Sequence, residues 1–189
     1  MSAAAIILAL ILSATVAFWT GARWAGGRLD PSQDLPLGIC NFTALVAPVQ
    51  ALTESPLLTA WAVCVGGSGG LASILAPDIG PEHSRGTHLK FWIVHVGLVL
   101  HALLCAWLYA PVRQPRTALL LLGLMACIAT AAIAVNGLLS SNYLFLRAKP
   151  ATASPLDRFG EWPLYLLPMA VITVGAVLLA FLGWSMAWR

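Results

Sequence analysis

Two side chains of this 189-residue chain could do chemistry together: Cys40 and His95. A thiol at the start of a helix lies at the positive end of the helix dipole, which favours the thiolate. A neighbouring imidazole can take the thiol proton, and the two then act as nucleophile and base. His95 lies little more than a turn inside an apolar run, at the same end as Cys40. An ionisable group within such a run is costly and faces protein or water more often than lipid. His101 follows six residues later, about 600° of helical rotation, so it points to another face. Its i+4 neighbour is Cys105, a spacing that reads as packing. Judged singly, a lone cysteine is more often inert, and a lone histidine in a span more often a neutral hydrogen-bonding group.

The other polar residues gather at that end. Asp34, Leu35 and Pro36 precede Cys40, and Pro77 and Asp78 close the next apolar run. Asn142, Tyr143, Lys149, Asp157, Glu161, Trp162 and Tyr165 fill the last long connection. Asn136 lies a turn inside the run before it, where an amide usually hydrogen-bonds a neighbouring helix. Trp162 and Tyr165 also suit an aromatic interface belt. Asn136, Asn142, Tyr143, Lys149, Asp157, Trp162 and Tyr165 are therefore the candidates to bind or orient a substrate. No metal site is expected: His83 and His88 share a loop without an evident third ligand, and the four cysteines form no C-x-x-C pair. The cysteines indicate no disulfide framework. No cofactor is expected either, since the Gly-rich stretch lacks the lysine of a phosphate-binding loop.

These residues must be held by apolar segments. Hydrophobic residues make up 60% of the chain and charged ones only 9%, against roughly 25% charged in soluble domains. That excludes a soluble enzyme, a nucleic-acid-binding domain and a disordered protein. A transmembrane helix needs about 20 apolar residues, so the composition supplies five or six. The runs are Ala3 to Ala22, Leu37 to Leu52, Leu57 to Leu75, Leu89 to Tyr109, Thr117 to Leu139 and Leu164 to Trp184. They lack the alternation of a barrel, so the fold class is all-α: a polytopic helical bundle of about six spans in one transmembrane domain over 1–189. The first run has no basic segment before it, and Arg23 and Arg28 follow it, so it reads as a retained span. Gly66-Gly67-Ser68-Gly69-Gly70 contains a G-x-x-x-G pair and reads foremost as a close helix contact.

The charges are polarised. With six spans, thirteen of the seventeen lie at the end that carries Cys40; the others are Glu54, Arg113, Arg116 and Arg189. Seven of the ten basic residues lie at that end, and the positive-inside rule then places it in the cytoplasm of a multi-pass cell-membrane protein. Membrane lipid is the expected partner, nucleic acid is not, and the small residues allow a homo-oligomer.

In order and spacing, L-P-L-G-I-C-N at 35–41, A-P-D-I at 76–79, F-W-I-V-H at 91–95, N-Y-L-F-L-R-A-K-P at 142–150 and L-D-R-F-G-E-W-P-L-Y at 156–165 resemble the YwaF-type integral membrane proteins of bacteria. The resemblance covers about three quarters of the chain. The family often has histidine two residues before the cysteine, where this chain has Gly38, and usually another span upstream of the position of Met1. More remotely, it is similar to a vertebrate multispan family with phospholipid acyltransferase activity, in which a cysteine is the implicated acyl carrier. That resemblance implies a role for Cys40, with His95 as its partner. The leading expectation is thus an intramembrane acyltransferase or lipid-ester hydrolase. The alternatives are a small-solute transporter-like module, lined by Asn136, His95, His101 and the Gly-rich stretch, and a non-catalytic membrane subunit.

Overall fold

The computed structural model describes residues 2–187. Among these residues six helices form the bundle: α1 (Ala3–Ala25), α2 (Ile39–Thr53), α3 (Pro56–Leu75), α4 (Arg85–Leu108), α5 (Pro115–Leu139) and α6 (Leu166–Ala187). Two short 3₁₀ turns, Tyr143–Phe145 and Pro155–Phe159, lie between α5 and α6. Among the described residues there is no strand. Each apolar run of the sequence becomes one helix, with ends displaced by a few residues. α4 starts at Arg85 because the Ser84 hydroxyl caps it, accepting from the Thr87 N–H at 3.2 Å. α5 starts at Pro115, whose absent N–H costs nothing in a first turn.

Among the described residues five helices are long and apolar enough to cross a membrane; α2, at 15 residues, is the shorter one. Its rise of about 22 Å falls short of a hydrocarbon core of about 30 Å. It also carries Pro48 inside its length, which removes one helical N–H.

Small residues let these helices approach. Ala9, Leu12 and Val16 of α1 bury against Ala44, Ala47 and Ala51 of α2 and Val94 and Leu98 of α4. A second cluster joins Ala60 to Val65 of α3 with Cys105, Leu121, Val177, Phe181 and Trp184. α5 and α6 turn large apolar side chains outward, Leu119, Leu138, Leu167 and Leu179 among them. Such exposure suits hydrocarbon, not water.

α3 is unbroken but changes pitch: Trp61–Gly66 is a π-helical segment, and all six residues are buried. Beyond it the glycines do what the sequence suggested. A Cβ at Gly67 would stand 3.0 Å from the Ala102 methyl, and one at Gly70 only 2.9 Å from the His95 carbonyl oxygen. The α3–α4 contact thus requires glycine.

Candidate functional site

Cys40 is the second residue of α2 and is half-buried. Its Sγ lies 3.4 Å from where a Gly69 Cβ would stand, and the Ser73 side chain lies within hydrogen-bonding reach of it. The neighbouring Gly70 touches the backbone of His95. Cys40 and His95 are thus brought to the same end of the bundle, against successive glycines of α3. All four cysteines are free thiols. Gly38 has φ −64° and ψ 141°, a conformation open to any residue, so the backbone does not demand glycine there.

The His95 ring is oriented from its own helix. Nδ1 lies 2.8 Å from the Phe91 carbonyl oxygen, and the ring packs on Phe91 with centroids 4.2 Å apart. A carbonyl can only accept, so Nδ1 carries the proton and Nε2 the lone pair. His101 behaves differently. It is fully buried, its Nε2 lies 3.6 Å from Cys105 Sγ, and that thiol donates to Gln50 Oε1 at 3.4 Å.

Sequence reasoning counted the charges at this end without pairing them. Arg23 Nε donates to Asp34 Oδ2 at 2.6 Å, and the same oxygen accepts the Asp30 N–H at 2.7 Å. The Asp30 carboxylate is held below its ordinary range, chiefly by the Ser32 hydroxyl and N–H that bond it. Lys90 Nζ and the Arg23 guanidinium both lie over the Trp19 indole, at 4.6 Å and 5.1 Å. Lys90 is close enough to act electrostatically on Asp34, Cys40 and His95. The legible signal was Trp19 and Arg23 at i, i+4 on one helix face. Lys90 read only as one more basic residue of the polar end.

The remaining candidates are drawn into one connection, residues 140–165, and their polar atoms have protein partners. Asn136 Oδ1 accepts from the Tyr143 N–H at 2.7 Å and the Ser141 hydroxyl at 2.8 Å; its Nδ2 donates to the Tyr143 carbonyl at 2.9 Å. Asn142 Oδ1 accepts from the Arg147 and Ala148 N–H groups. The buried Tyr143 hydroxyl donates to the Pro31 carbonyl at 2.8 Å and accepts the Leu35 N–H at 3.1 Å, which ties this connection to the one leading into α2. Burial first, then the Asp34 and Asp30 carboxylates, raise the Tyr143 phenol above its ordinary value and keep it a neutral donor.

Tyr165 donates to the Phe145 carbonyl at 2.6 Å and Trp162 Nε1 to the Leu146 carbonyl at 3.1 Å. Lys149 pairs with Glu161 at 3.5 Å and lies over the Tyr165 ring at 5.9 Å. Asp157 stands apart from these: it is exposed and accepts the Ser154 N–H at the start of its own turn. Thr152, not singled out by its sequence, bonds the Pro77 carbonyl and the Asp78 carboxylate and fastens the connection to the end of α3.

This clasp holds strain. Leu144 and Phe145 have φ of 61° and 54°, a left-handed conformation costing roughly 1–2 kcal/mol for each such residue. The Tyr165 bond to Phe145 and the Asn136 bonds to Tyr143 bracket the two. Strain of this kind persists only where its surroundings over-determine it, commonly near functional sites.

An apolar groove of about 440 Å³ opens between α3, α4 and α6, lined by residues including Gly67, Leu71, Val99, Ala102 and Ala176. Neither Cys40 nor His95 lines it. Among the described residues no three His, Cys, Asp or Glu side chains are grouped to share a metal ion.

Comparison with curated proteins and with solved structures gives no match. A sequence model of one membrane protein family does match, over residues 1–181, and so takes in α1 to α5, the clasp and most of α6. Together with the multi-pass helical bundle, that match shows that this chain belongs to the TMEM164 family.

Proposed function

We propose that this protein is an intramembrane acyltransferase or lipid-ester hydrolase, with Cys40 as nucleophile and His95 as base. The observation that carries this reading is the orientation of His95. Its Nδ1–H is committed to the Phe91 carbonyl, which leaves the Nε2 lone pair available at the end of the bundle where the Cys40 thiol packs against Gly69. In the first half-reaction His95 takes the thiol proton as sulfur attacks an ester carbonyl. The tetrahedral intermediate collapses to a thioester, and the leaving alkoxide takes the proton from His95. In the second, His95 takes a proton from a lipid hydroxyl or from water, whose oxygen attacks the thioester. Collapse releases the new ester or the acid, and the thiolate recovers its proton. The α2 N-terminus offers N–H groups to the developing oxyanion.

The clasp supports this reading as a scaffold. Asn136, Asn142, Tyr143, Trp162 and Tyr165 order the loop beside the pair, and Lys149 is the member with a charged group to offer a substrate. The polar end then faces the cytoplasm, and the substrate comes from the facing leaflet of the cell membrane. A transport path through Asn136, His95 and His101 draws less support, because the Asn136 carboxamide is bonded to its own loop and His101 to Cys105.

The test is purified protein in mixed micelles with a glycerophospholipid acyl donor and a lysophospholipid acceptor. Mass spectrometry should find a thioester on Cys40. Cys40→Ala should abolish both adduct and turnover, and His95→Gln should slow turnover by roughly 10²–10⁴-fold. Turnover retained in Cys40→Ala would overturn the proposal.

A further inference from the structure

Near Cys40 and His95 the structure places two cations on one indole. Arg23 and Lys90, from α1 and α4, lie over Trp19, and Asp34 pairs with Arg23 through Nε alone. Among the described residues no carboxylate comes within ion-pair distance of Lys90, and the terminal nitrogens of Arg23 have no protein acceptor. Lys90 is half-buried at the edge of an apolar helix, where an ammonium without an acceptor forgoes part of its hydration.

We infer that Trp19, Arg23 and Lys90 form a subsite for a phosphate group, and that the phosphate is the phosphodiester of the lipid whose ester reaches Cys40. Asp34 and Asp30 both act on Arg23 and are held by local bonds of their own, which leaves Lys90 as the cation with no carboxylate at ion-pair distance and suits it to a singly charged phosphodiester. The guanidinium offers two parallel N–H groups and the ammonium a point charge, the usual pair of phosphate ligands. The depth fits as well. His95 follows Lys90 by five positions, about 7.5 Å of helical rise into the membrane. In a glycerophospholipid the ester carbonyl lies a few bonds from the phosphate, on the acyl side. A phosphate held at Lys90 therefore directs the ester inward, toward His95 and Cys40. The phosphate site rests on the three side chains alone; the lipid source rests also on the acyl-transfer reading above.

The experiment measures ligand-induced thermal stabilisation and binding by native mass spectrometry, on the full chain in detergent. The probes are dioleoyl phosphatidylcholine, dioleoylglycerol and inorganic phosphate. Wild type should bind phosphatidylcholine, Lys90→Gln should bind it roughly tenfold or more weakly, and Lys90→Arg should restore it. Dioleoylglycerol, which keeps the esters and lacks the phosphate, should not distinguish the variants. Equal binding of phosphatidylcholine by wild type and Lys90→Gln, with both variants monodisperse, overturns the subsite. Lys90-dependent binding of inorganic phosphate without that of phosphatidylcholine overturns the lipid source. Cys40→Ala separates this inference from the acyl-transfer reading. It should keep Lys90-dependent phosphatidylcholine binding, so loss of the chemistry and loss of the phosphate site register independently.

Discussion

At Asn136 one carboxamide holds three groups of the segment that follows α5: the N–H and carbonyl of Tyr143 and the hydroxyl of Ser141. All belong to buried residues, so substitution strands them without water. Asn136→Leu should lower stability by about 1–3 kcal/mol for each group left unpaired, read as an earlier thermal unfolding midpoint in detergent. Unfolding at the wild-type temperature would show that the clasp does not depend on this amide. Asn136, Asn142 and Tyr143 were visible in the sequence as polar residues at one end of apolar runs. Their partners were not. Those partners are loop backbone atoms, placed by left-handed turns at Leu144 and Phe145, and no residue type announces such a turn when leucine and phenylalanine occupy it. For the same reason, residues read as substrate contacts have the clasp itself as their bonding partner.

At the scale of elements, hydropathy alone located the six helices, because a run long enough to span hydrocarbon has few other uses. The Gly-rich stretch of α3 likewise read correctly as a close contact. What hydropathy could not show was the partner at each glycine, which depends on how α3 rotates through its π-helical segment. That rotation sets Gly69 against Cys40 and Gly70 against His95. The placement of these two candidate residues is therefore sensitive to a methyl group on α3. Gly70→Ala would place Cβ 2.9 Å from a backbone oxygen, which cannot yield as a side-chain tip would. It should destabilise the fold by roughly 1–3 kcal/mol and reduce any Cys40-dependent turnover. Gly123→Ala, with nothing within 4 Å of its new Cβ, is the matched control and should not lower the unfolding midpoint. Equal midpoints for the two variants would mean that α3 and α4 are not closely packed at Gly70.

Over the whole molecule, the concentration of charge at one end meets a physical need at that end. Arg23–Asp34, Tyr143 to the Pro31–Leu35 segment, Thr152 to Asp78, and Lys149–Glu161 are all contacts between or within connections there. The opposite connections are short and include the residues 109–114 that join α4 to α5. Counting charges on the sequence therefore detected the elaborated end without revealing what the charges bind. The same count predicts orientation, since seven of ten basic residues lie there. On a Cys40→Ala, Cys127→Ser background, Glu82→Cys would report the elaborated end and Gln114→Cys the other, because α4 separates the two loops. In intact cells a membrane-impermeant maleimide should label Gln114→Cys at once and Glu82→Cys only after permeabilisation. The reverse pattern would put Cys40, His95 and the Trp19 cations at the outer leaflet. The lipid presented to them would then be that of the outer leaflet, and the acyl donor to test would change with it.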